Sequence, residues 1–443
     1  RQGSLKNAVQ RAGRRKCRPV TPAMKKQNLC YKIFPLSQRT IILLFVSIMF
    51  IMFVIWGTLW IQNPGGSQRY VFFRGGINFF ADFLNPIIYS RDLNPYFDPI
   101  NGFGTKQSLP LVYLFFYPFS KFLLGTNPSD FSLETLQYTG KALWSVWSVL
   151  IVSSGLLFGA LSKLSTVQHK KGLLLLGLSM SGVYLFSLER GNIVLLSAGC
   201  VALFCACYKG EKKEQVSGAI ALALAGVMKI YPVIFGFLWI YTKRFRVLCR
   251  TAVLTLGLSL FPFAFLRGSF GNNFFQALLC VKESELLYAP SVIYPRFSIP
   301  HLGLRLYTFL CEEGAAGALV LKLGSLITLI LVGLSIIAAG KEKYEWRRIF
   351  LLGICVLFLP TQSSFYTGLY MFPAIILFFN QKRYFVQDLI YLGLFCVFLC
   401  PIQFFSSDNY IINNIALLLM WSLLLYKNFV PSSAKEKNMR TLL

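Results

Sequence analysis

The sequence predicts an all-α polytopic membrane protein, and three observations support this class. Of the 443 residues, 55% are hydrophobic and only 14% are charged, whereas an average soluble domain has about 25% charged residues. Residues 40–62 contain no charge and are long enough to cross a bilayer as a helix. The net charge of +27 comes from basic residues in short clusters between apolar runs, a pattern that does not favour a nucleic-acid-binding protein.

The apolar runs predict about twelve transmembrane helices, forming a bundle with interfacial helices in the first external loop. Segment 109–124 is also apolar, but it is short and interrupted by Pro118, so we expect a re-entrant or interfacial helix there and not a thirteenth span. The twelve predicted spans lie near 40–62, 136–162, 172–188, 190–208, 214–230, 231–242, 249–267, 317–340, 347–360, 366–380, 384–402 and 409–427.

The positions of the basic residues predict the orientation of these spans. If 109–124 does not cross the membrane, seven basic clusters fall on one side and contain 31 of the 44 Lys and Arg residues. The other side then has 11 of the 17 acidic residues. Because positively charged loops stay in the cytoplasm, we expect both termini to be cytoplasmic.

One transmembrane domain is predicted over residues 40–428, between two cytoplasmic segments. Residues 1–39 contain 11 basic and no acidic residues, which is typical of an arm close to anionic lipid. Met24 followed by two lysines is typical of a natural start, so we expect residues 1–23 to be either an addition before that start or part of the basic arm, outside the folded domain. Residues 429–443 are predicted to be a cytoplasmic tail.

The first external loop, residues 63–135, is the longest predicted loop and is rich in aromatic residues. A loop of this length is usually functional or disordered, and its aromatic density argues against disorder. Helical spacing predicts a helix at the membrane interface, formed by Phe79, Phe80, Phe83, Ile87 and Ile88.

Three aspartates in this loop, Asp82, Asp92 and Asp98, are candidates for acid–base chemistry. A carboxylate in an apolar pocket is suited to act as a general base, because desolvation raises its pKa towards the operating pH. The alternative is that all three are solvated loop residues.

Polar residues also occur where the third and fourth predicted spans meet, at Glu189, Arg190 and Asn192. Charges at the membrane boundary are costly and suggest a function, although an ion pair that caps a helical hairpin would explain them equally. Lys229 is the only charge between Gln215 and Lys243. An isolated ammonium group suits a phosphate, but it could instead snorkel to the interface or pair with Glu189.

Two later external loops contain further candidates, His301 in 268–316 and Tyr366 at the end of 360–366. A lone histidine is usually structural. Cys280 and Cys311 share one of these loops, and whether they are bridged stays open. The sequence contains no H-E-x-x-H motif, P-loop or D-x-D pair, so zinc-protease and ATPase functions have no support.

In this order, the motifs resemble the membrane glycosyltransferases of the GT-C architecture, and most closely glycosyltransferase family 87, the polyprenyl-phosphate-mannose-dependent mannosyltransferases. The resemblance covers roughly residues 40–430. It rests on A-D-F and Y-S-R-D-L-N-P-Y-F in the first external loop, F-F-Y-P-F after it, E-R-G-N at 189–192 and G-V-M-K-I-Y-P-V-I at 226–234.

The resemblance implies an inverting transfer of a mannose-like sugar from a polyprenyl-phosphate donor to a lipid or glycan acceptor, without cofactor or metal. It implies that Asp82 is the catalytic base, with Asp92 as the alternative, and that Lys229 and Arg190 bind the donor phosphate. The reaction is expected at the external face of a membrane, such as a bacterial cytoplasmic membrane, with membrane lipids and no nucleic acid as further partners. The substrate-binding residues implied are Glu189, Asn192, Tyr96, Tyr231, His301 and Tyr366.

A transporter or lipid flippase is the alternative function, because twelve spans with both ends inside are also common among transporters. Such folds usually have internal repeats and helices broken at the midplane. No repeat relates residues 40–250 to 250–430, and the polar residues cluster at one face.

Overall fold

A computed structural model describes residues 36–62, 79–98, 100, 102–124, 136–167, 170–287, 297–310, 316–360, 363–402 and 411–429. These residues are mostly helical. The helices are α1 Gln38–Gln62, α2 Ala81–Ser90, α3 Pro110–Leu124, α4 Gly140–Leu164, α5 Lys171–Ser179, α6 Gly182–Arg190, α7 Val194–Cys207, α8 Lys212–Met228, α9 Phe237–Tyr241, α10 Phe245–Leu260, α11 Phe270–Leu287, α12 Ile299–Leu310, α13 Ala316–Lys341, α14 Glu345–Phe358, α15 Phe372–Phe379, α16 Val386–Leu399 and α17 Ile411–Phe429.

Short 3₁₀ helices and one pair of two-residue strands complete the described structure. The strands β1, Leu36–Ser37, and β2, Arg383–Tyr384, pair antiparallel. The 3₁₀ helices are Pro95–Phe97, Phe103–Thr105, Tyr231–Gly236, Phe261–Phe265 and Phe365–Met371.

Among the described residues, five helices are long and apolar enough to cross a membrane: α1, α4, α13, α17, and α10 with its 3₁₀ continuation. A sixth span forms if α5 and α6, which meet at a bend of 58°, are counted together. The all-α class is therefore confirmed. A helix is present at each of the other predicted positions, but these helices are shorter, so the count of twelve spans stays a prediction.

The two helices predicted in the first external loop are both present. Segment 109–124 forms α3, which contains Pro118, and the aromatic stretch forms α2. The apolar face of α2, including Phe83 and Ile87, is fully buried, and α2 packs against α3. Because this face contacts protein, its apolar spacing alone does not establish a position at the membrane interface.

Helix α7 lies at the centre of the bundle, between α4 and α8. Nearly all of its residues are buried. A helix that is apolar on every side needs such surroundings, which explains why a stretch of only 14 residues contains almost no polar side chains.

The turns predicted to be cytoplasmic meet at one end of the bundle. The side-chain amide of Gln38 donates to the carbonyl of Phe379 at 2.7 Å, next to the strand pair. Lys209 pairs with Glu345 at 2.6 Å, and Arg244 donates to the carbonyl of Tyr208 at 2.6 Å. The basic turns are thus gathered at one end, which we call the basic end.

The predicted external loops meet each other at the opposite end. The backbone N–H of Arg267 donates to the carbonyl of Leu93, and that of Phe297 donates to the carbonyl of Ser363, both at 2.8 Å. These contacts join the first external loop to the one after α10, and the segment before α12 to the one after α14. Candidate polar residues from distant parts of the chain are consequently brought to this end.

Candidate active site

The candidate site is built on the first turn of α2, where Asp82 lies. The residue before the helix, Phe80, has a left-handed backbone with φ of 55°. Its N–H donates to the carbonyl of Glu189 at 2.8 Å. The beginning of α2 is therefore attached directly to the turn between α6 and α7.

That turn requires glycine at position 191. Helix α6 ends at Arg190, and Gly191 follows in the left-handed conformation with φ of 62°, which glycine adopts without steric cost. A Cβ atom at Gly191 would also lie 2.9 Å from the Cβ of Phe83. The missing side chain therefore permits both the turn and the close approach of α2.

Asp82 accepts hydrogen bonds on both carboxylate oxygens. Arg190 forms an ion pair with Oδ1, and the side-chain amide of Asn192 donates to Oδ2 at 2.7 Å. The amide orientation of Asn192 is set because its Oδ1 accepts the N–H of Val194 at 2.9 Å. The E-R-G-N turn thus presents one guanidinium and one amide to a carboxylate 108 residues earlier in the chain.

The pKa of Asp82 moves opposite to the direction expected from the sequence. Burial by itself raises the pKa of this carboxyl, but the charge of Arg190 and the hydrogen bonds from Arg190 and Asn192 hold it below the usual value. From the sequence alone, only the effect of burial on the pKa of Asp82 could be predicted. The partners that outweigh it, Arg190 and Asn192, come from the end of α6 and from the turn before α7.

Lys229 adds a second cation to the site. It directly follows α8 and has an extended backbone, with φ of −147° and ψ of 125°. Helix α8 ends there because Pro232 lacks the N–H that would bond to the carbonyl of Met228. The positive charge of Lys229 also acts on the Asp82 carboxyl and contributes to its lowered pKa. The charges of Lys229 and Asp82 therefore act on each other.

In the described part of the chain, no carboxylate lies within ion-pair distance of Lys229. The predicted alternative, a pair between Lys229 and Glu189, is thus not formed in this structure. The site contains two cationic side chains, Arg190 and Lys229, and two carboxylates, because the charge of the buried Glu189 also acts on Arg190. Positive and negative side chains are therefore equal in number in this cluster.

Tyr366 lies at the edge of the site, beside another aromatic residue. It belongs to the 3₁₀ helix Phe365–Met371, and its ring stacks on that of Phe186 at 5.7 Å. Tyr366 is also close enough to Arg190 for an electrostatic interaction. The late external loop therefore contributes to the same site as the first one.

Other candidates lie apart from this carboxylate. Asp92 is half exposed and pairs with the neighbouring Arg91 at 3.4 Å. Asp98 is buried and pairs with Arg91 as well. Tyr96 is buried, and its hydroxyl donates to the carbonyl of Ser108 at 2.8 Å. These contacts stabilise the fold of the first external loop.

Tyr231 and His301 are positioned by backbone elements near the site. Tyr231 begins the 3₁₀ helix after Lys229. His301 is buried in the first turn of α12, and the segment before it bonds to Ser363, which precedes Tyr366. Cys280 is buried, whereas Cys311 lies outside the described residues, so whether the two are bridged stays open.

The sequence analysis missed Lys106. This lysine is fully buried, and its ammonium group donates to the carbonyls of Ile100 and Gly102 and lies 4.5 Å from the ring centre of Tyr89. Burial lowers the pKa of Lys106, although the charge of Asp98 opposes this shift. The available signal was a lysine in a segment rich in glycine, I-N-G-F-G-T-K at residues 100–106. Lys106 closes this loop onto α2.

An all-α chain with several potential membrane spans, and with a cluster of carboxylates and cations at one end, defines a polytopic membrane protein. The chain belongs to glycosyltransferase family 87, because the model of that family matches residues 110–361, which is more than half of the sequence. No curated protein matches the chain. The matched region contains Arg190, Asn192 and Lys229, whereas Asp82 precedes it.

Proposed function

We propose that this glycosyltransferase moves a mannose-like sugar, with inversion, from a polyprenyl-phosphate donor to a lipid or glycan acceptor. The observation that supports this proposal is the arrangement of Asp82 between Arg190 and Asn192, with Lys229 beside them. A base and two cations are the groups that transfer from a lipid phosphate requires. Family membership favours this function over the transporter alternative.

The reaction uses these groups in two roles. Asp82 takes the proton of an acceptor hydroxyl, and the acceptor oxygen forms a bond to the anomeric carbon. The bond between that carbon and the phosphate oxygen breaks, and its electron pair stays on the phosphate. Arg190 and Lys229 stabilise the charge that develops there.

The hydrogen bonds to Asp82 suggest how donor binding makes this carboxylate a stronger base. Both carboxylate oxygens have partners in this structure, and their effect lowers the pKa of Asp82. When the donor phosphate binds Arg190, the guanidinium no longer stabilises the ionised form of the Asp82 carboxyl. Burial then raises the pKa of Asp82 and makes it a stronger base. Donor binding before acceptor deprotonation is the order that this arrangement supports.

The same two cations support a reaction without a divalent metal. The phosphodiester donor carries one negative charge, and the leaving phosphate monoester approaches two. Arg190 and Lys229 provide two positive charges for it. A nucleoside diphosphate would present more charge and usually requires a metal ion, so a lipid monophosphate fits this site better.

We place the reaction at the external face of a multi-pass protein with twelve spans, and we propose a bacterial cytoplasmic membrane as its location. Asp82 lies at the end opposite to the basic end. Because basic turns stay in the cytoplasm, this position supports an external site. A polyprenyl donor then reaches the site within the outer leaflet.

The test is transfer of radiolabelled mannose from mannosyl polyprenyl phosphate to lipids extracted from native membranes, with the protein in liposomes. Asp82→Asn should abolish transfer, because asparagine cannot accept the proton. Asp388→Asn is the matched control. Asp388 is another buried aspartate that bonds to a helix start, but it lies at the basic end, and this variant should retain transfer.

Two results would change the proposal. If Asp92→Asn is inactive and Asp82→Asn is active, the base is Asp92. If both variants retain full activity, base catalysis by this loop is refuted.

A further inference from the structure

A buried chain of hydroxyl groups connects three elements in the apolar centre of the bundle. The hydroxyl of Tyr370 donates to Oγ of Ser197 at 2.8 Å, and Ser197 donates to the backbone carbonyl of Ala225 at 3.2 Å. All three residues are buried. The chain joins the 3₁₀ helix Phe365–Met371 to α7 and to the last turn of α8.

The last acceptor in this chain, the backbone carbonyl of Ala225, also holds the backbone of Lys229 in place. The N–H of Lys229 donates to the same Ala225 carbonyl at 3.0 Å, the last helical bond of α8. Helix ends fray unless tertiary contacts hold them, and Pro232 prevents a further helical bond here. Ser197 therefore anchors the turn that positions Lys229.

The two other elements also carry parts of the site. Helix α7 begins just after Asn192, and the 3₁₀ helix that contains Tyr370 begins with Phe365 and Tyr366. One polar chain therefore ties together the three segments that contribute Asn192, Lys229 and Tyr366.

The backbone carbonyl of Ala225 does not need the hydrogen bond from Ser197. The carbonyl of Ala225 already accepts the N–H of Lys229. Replacing both hydroxyl-bearing residues by Ala and Phe would leave packed apolar groups, an exchange that costs little when both partners of a hydrogen bond are removed. Buried polar networks fix a single arrangement of the elements that they join. The arrangement fixed here is that of Lys229.

We propose that Ser197 and Tyr370 are positioning residues that hold Lys229 where it contacts the donor phosphate. This inference rests on the proposed role of Lys229 as a phosphate-binding residue. It adds two residues that touch no substrate and that act through the end of α8.

The experiment measures binding of polyprenyl phosphate and of the uncharged polyprenol to the full protein in lipid nanodiscs. The ratio of the two affinities isolates the phosphate contribution. Lys229→Ala should lower this ratio by about ten- to a hundredfold, the effect of a lost charge-assisted hydrogen bond. Tyr370→Phe and Ser197→Ala should each lower it by about three- to tenfold.

Tyr384→Phe is the matched control. Tyr384 is also buried, and its hydroxyl also donates to a single acceptor, here the carbonyl of Phe378 at 3.0 Å, but at the basic end. This variant should lose as much thermal stability as Tyr370→Phe and keep the wild-type ratio. In a Lys229→Ala background, Tyr370→Phe should lower the ratio no further, because both changes remove the same interaction.

The outcomes separate the two proposals. If Lys229→Ala lowers the ratio and Tyr370→Phe does not, the positioning role is wrong and the phosphate role stands. If Tyr370→Phe and Tyr384→Phe change the ratio equally, the hydroxyl chain has only a structural role. An unchanged ratio in folded Lys229→Ala protein would overturn the phosphate role of Lys229 and this inference with it.

Discussion

The approach of α2 to the E-R-G-N turn can be tested by the change Gly191→Ala. Alanine at φ of 62° costs about 1–2 kcal/mol in the left-handed region. Its Cβ would lie 2.9 Å from the Cβ of Phe83, and that atom cannot rotate away because it is fixed to the backbone of α2. Overpacking of this kind costs about 1–3 kcal/mol more. The sum is about 2–5 kcal/mol of folding free energy.

The measurements are thermal unfolding in detergent and transfer of labelled mannose. Asp82 precedes Phe83, so a displaced α2 separates the carboxylate from Arg190 and Asn192, and transfer should fall together with stability. Gly102→Ala is the control, because Gly102 also has a positive φ, of 75°, but nothing within 4 Å of an added Cβ. Gly102→Ala should lower the folding free energy only by the cost of the left-handed backbone, about 1–2 kcal/mol. Wild-type stability and transfer in Gly191→Ala protein would refute the close approach.

Three further predictions concern charge, metal and orientation. Asp82→Asn should lower the free energy of unfolding by about 1–3 kcal/mol. Because the pKa of Asp82 is lowered in the folded protein, this loss of stability should be complete above about pH 5 and smaller below about pH 4. A deficit that grows in acid would contradict the lowered pKa. Transfer should persist in excess EDTA, and a loss that Mg²⁺ restores would show that a metal is needed. Single cysteines replacing the exposed Gln107 and Lys212 should differ in intact cells, with only Gln107→Cys reacting with an impermeant maleimide; the opposite result would reverse the orientation.

The helices could be predicted from the sequence because their cause is local. An apolar run without charges must satisfy its backbone hydrogen bonds within itself in a membrane, and every predicted span contains a helix in the structure. The end of α8 at Lys229 was likewise predictable, since Pro232 cannot continue the hydrogen-bond pattern. Span lengths were less predictable, and the bend of 58° between α5 and α6 was not predicted.

The sequence by itself determined the all-α class, the alternation of basic and polar turns, and the residue types available at each end. Only the tertiary structure decided which of those residues meet. Asp82 and Arg190 are 108 residues apart, and their pairing, which reverses the pKa shift expected from burial, depends on how α2 packs on the end of α6. Ser197 and Tyr370 carry no signal in their local sequence, because their hydroxyl groups gain a role only where α7, α8 and the segment before α15 meet. Local hydrogen bonding and apolar length are encoded in neighbouring residues, whereas contacts between charges and hydroxyl groups depend on the packing of distant helices.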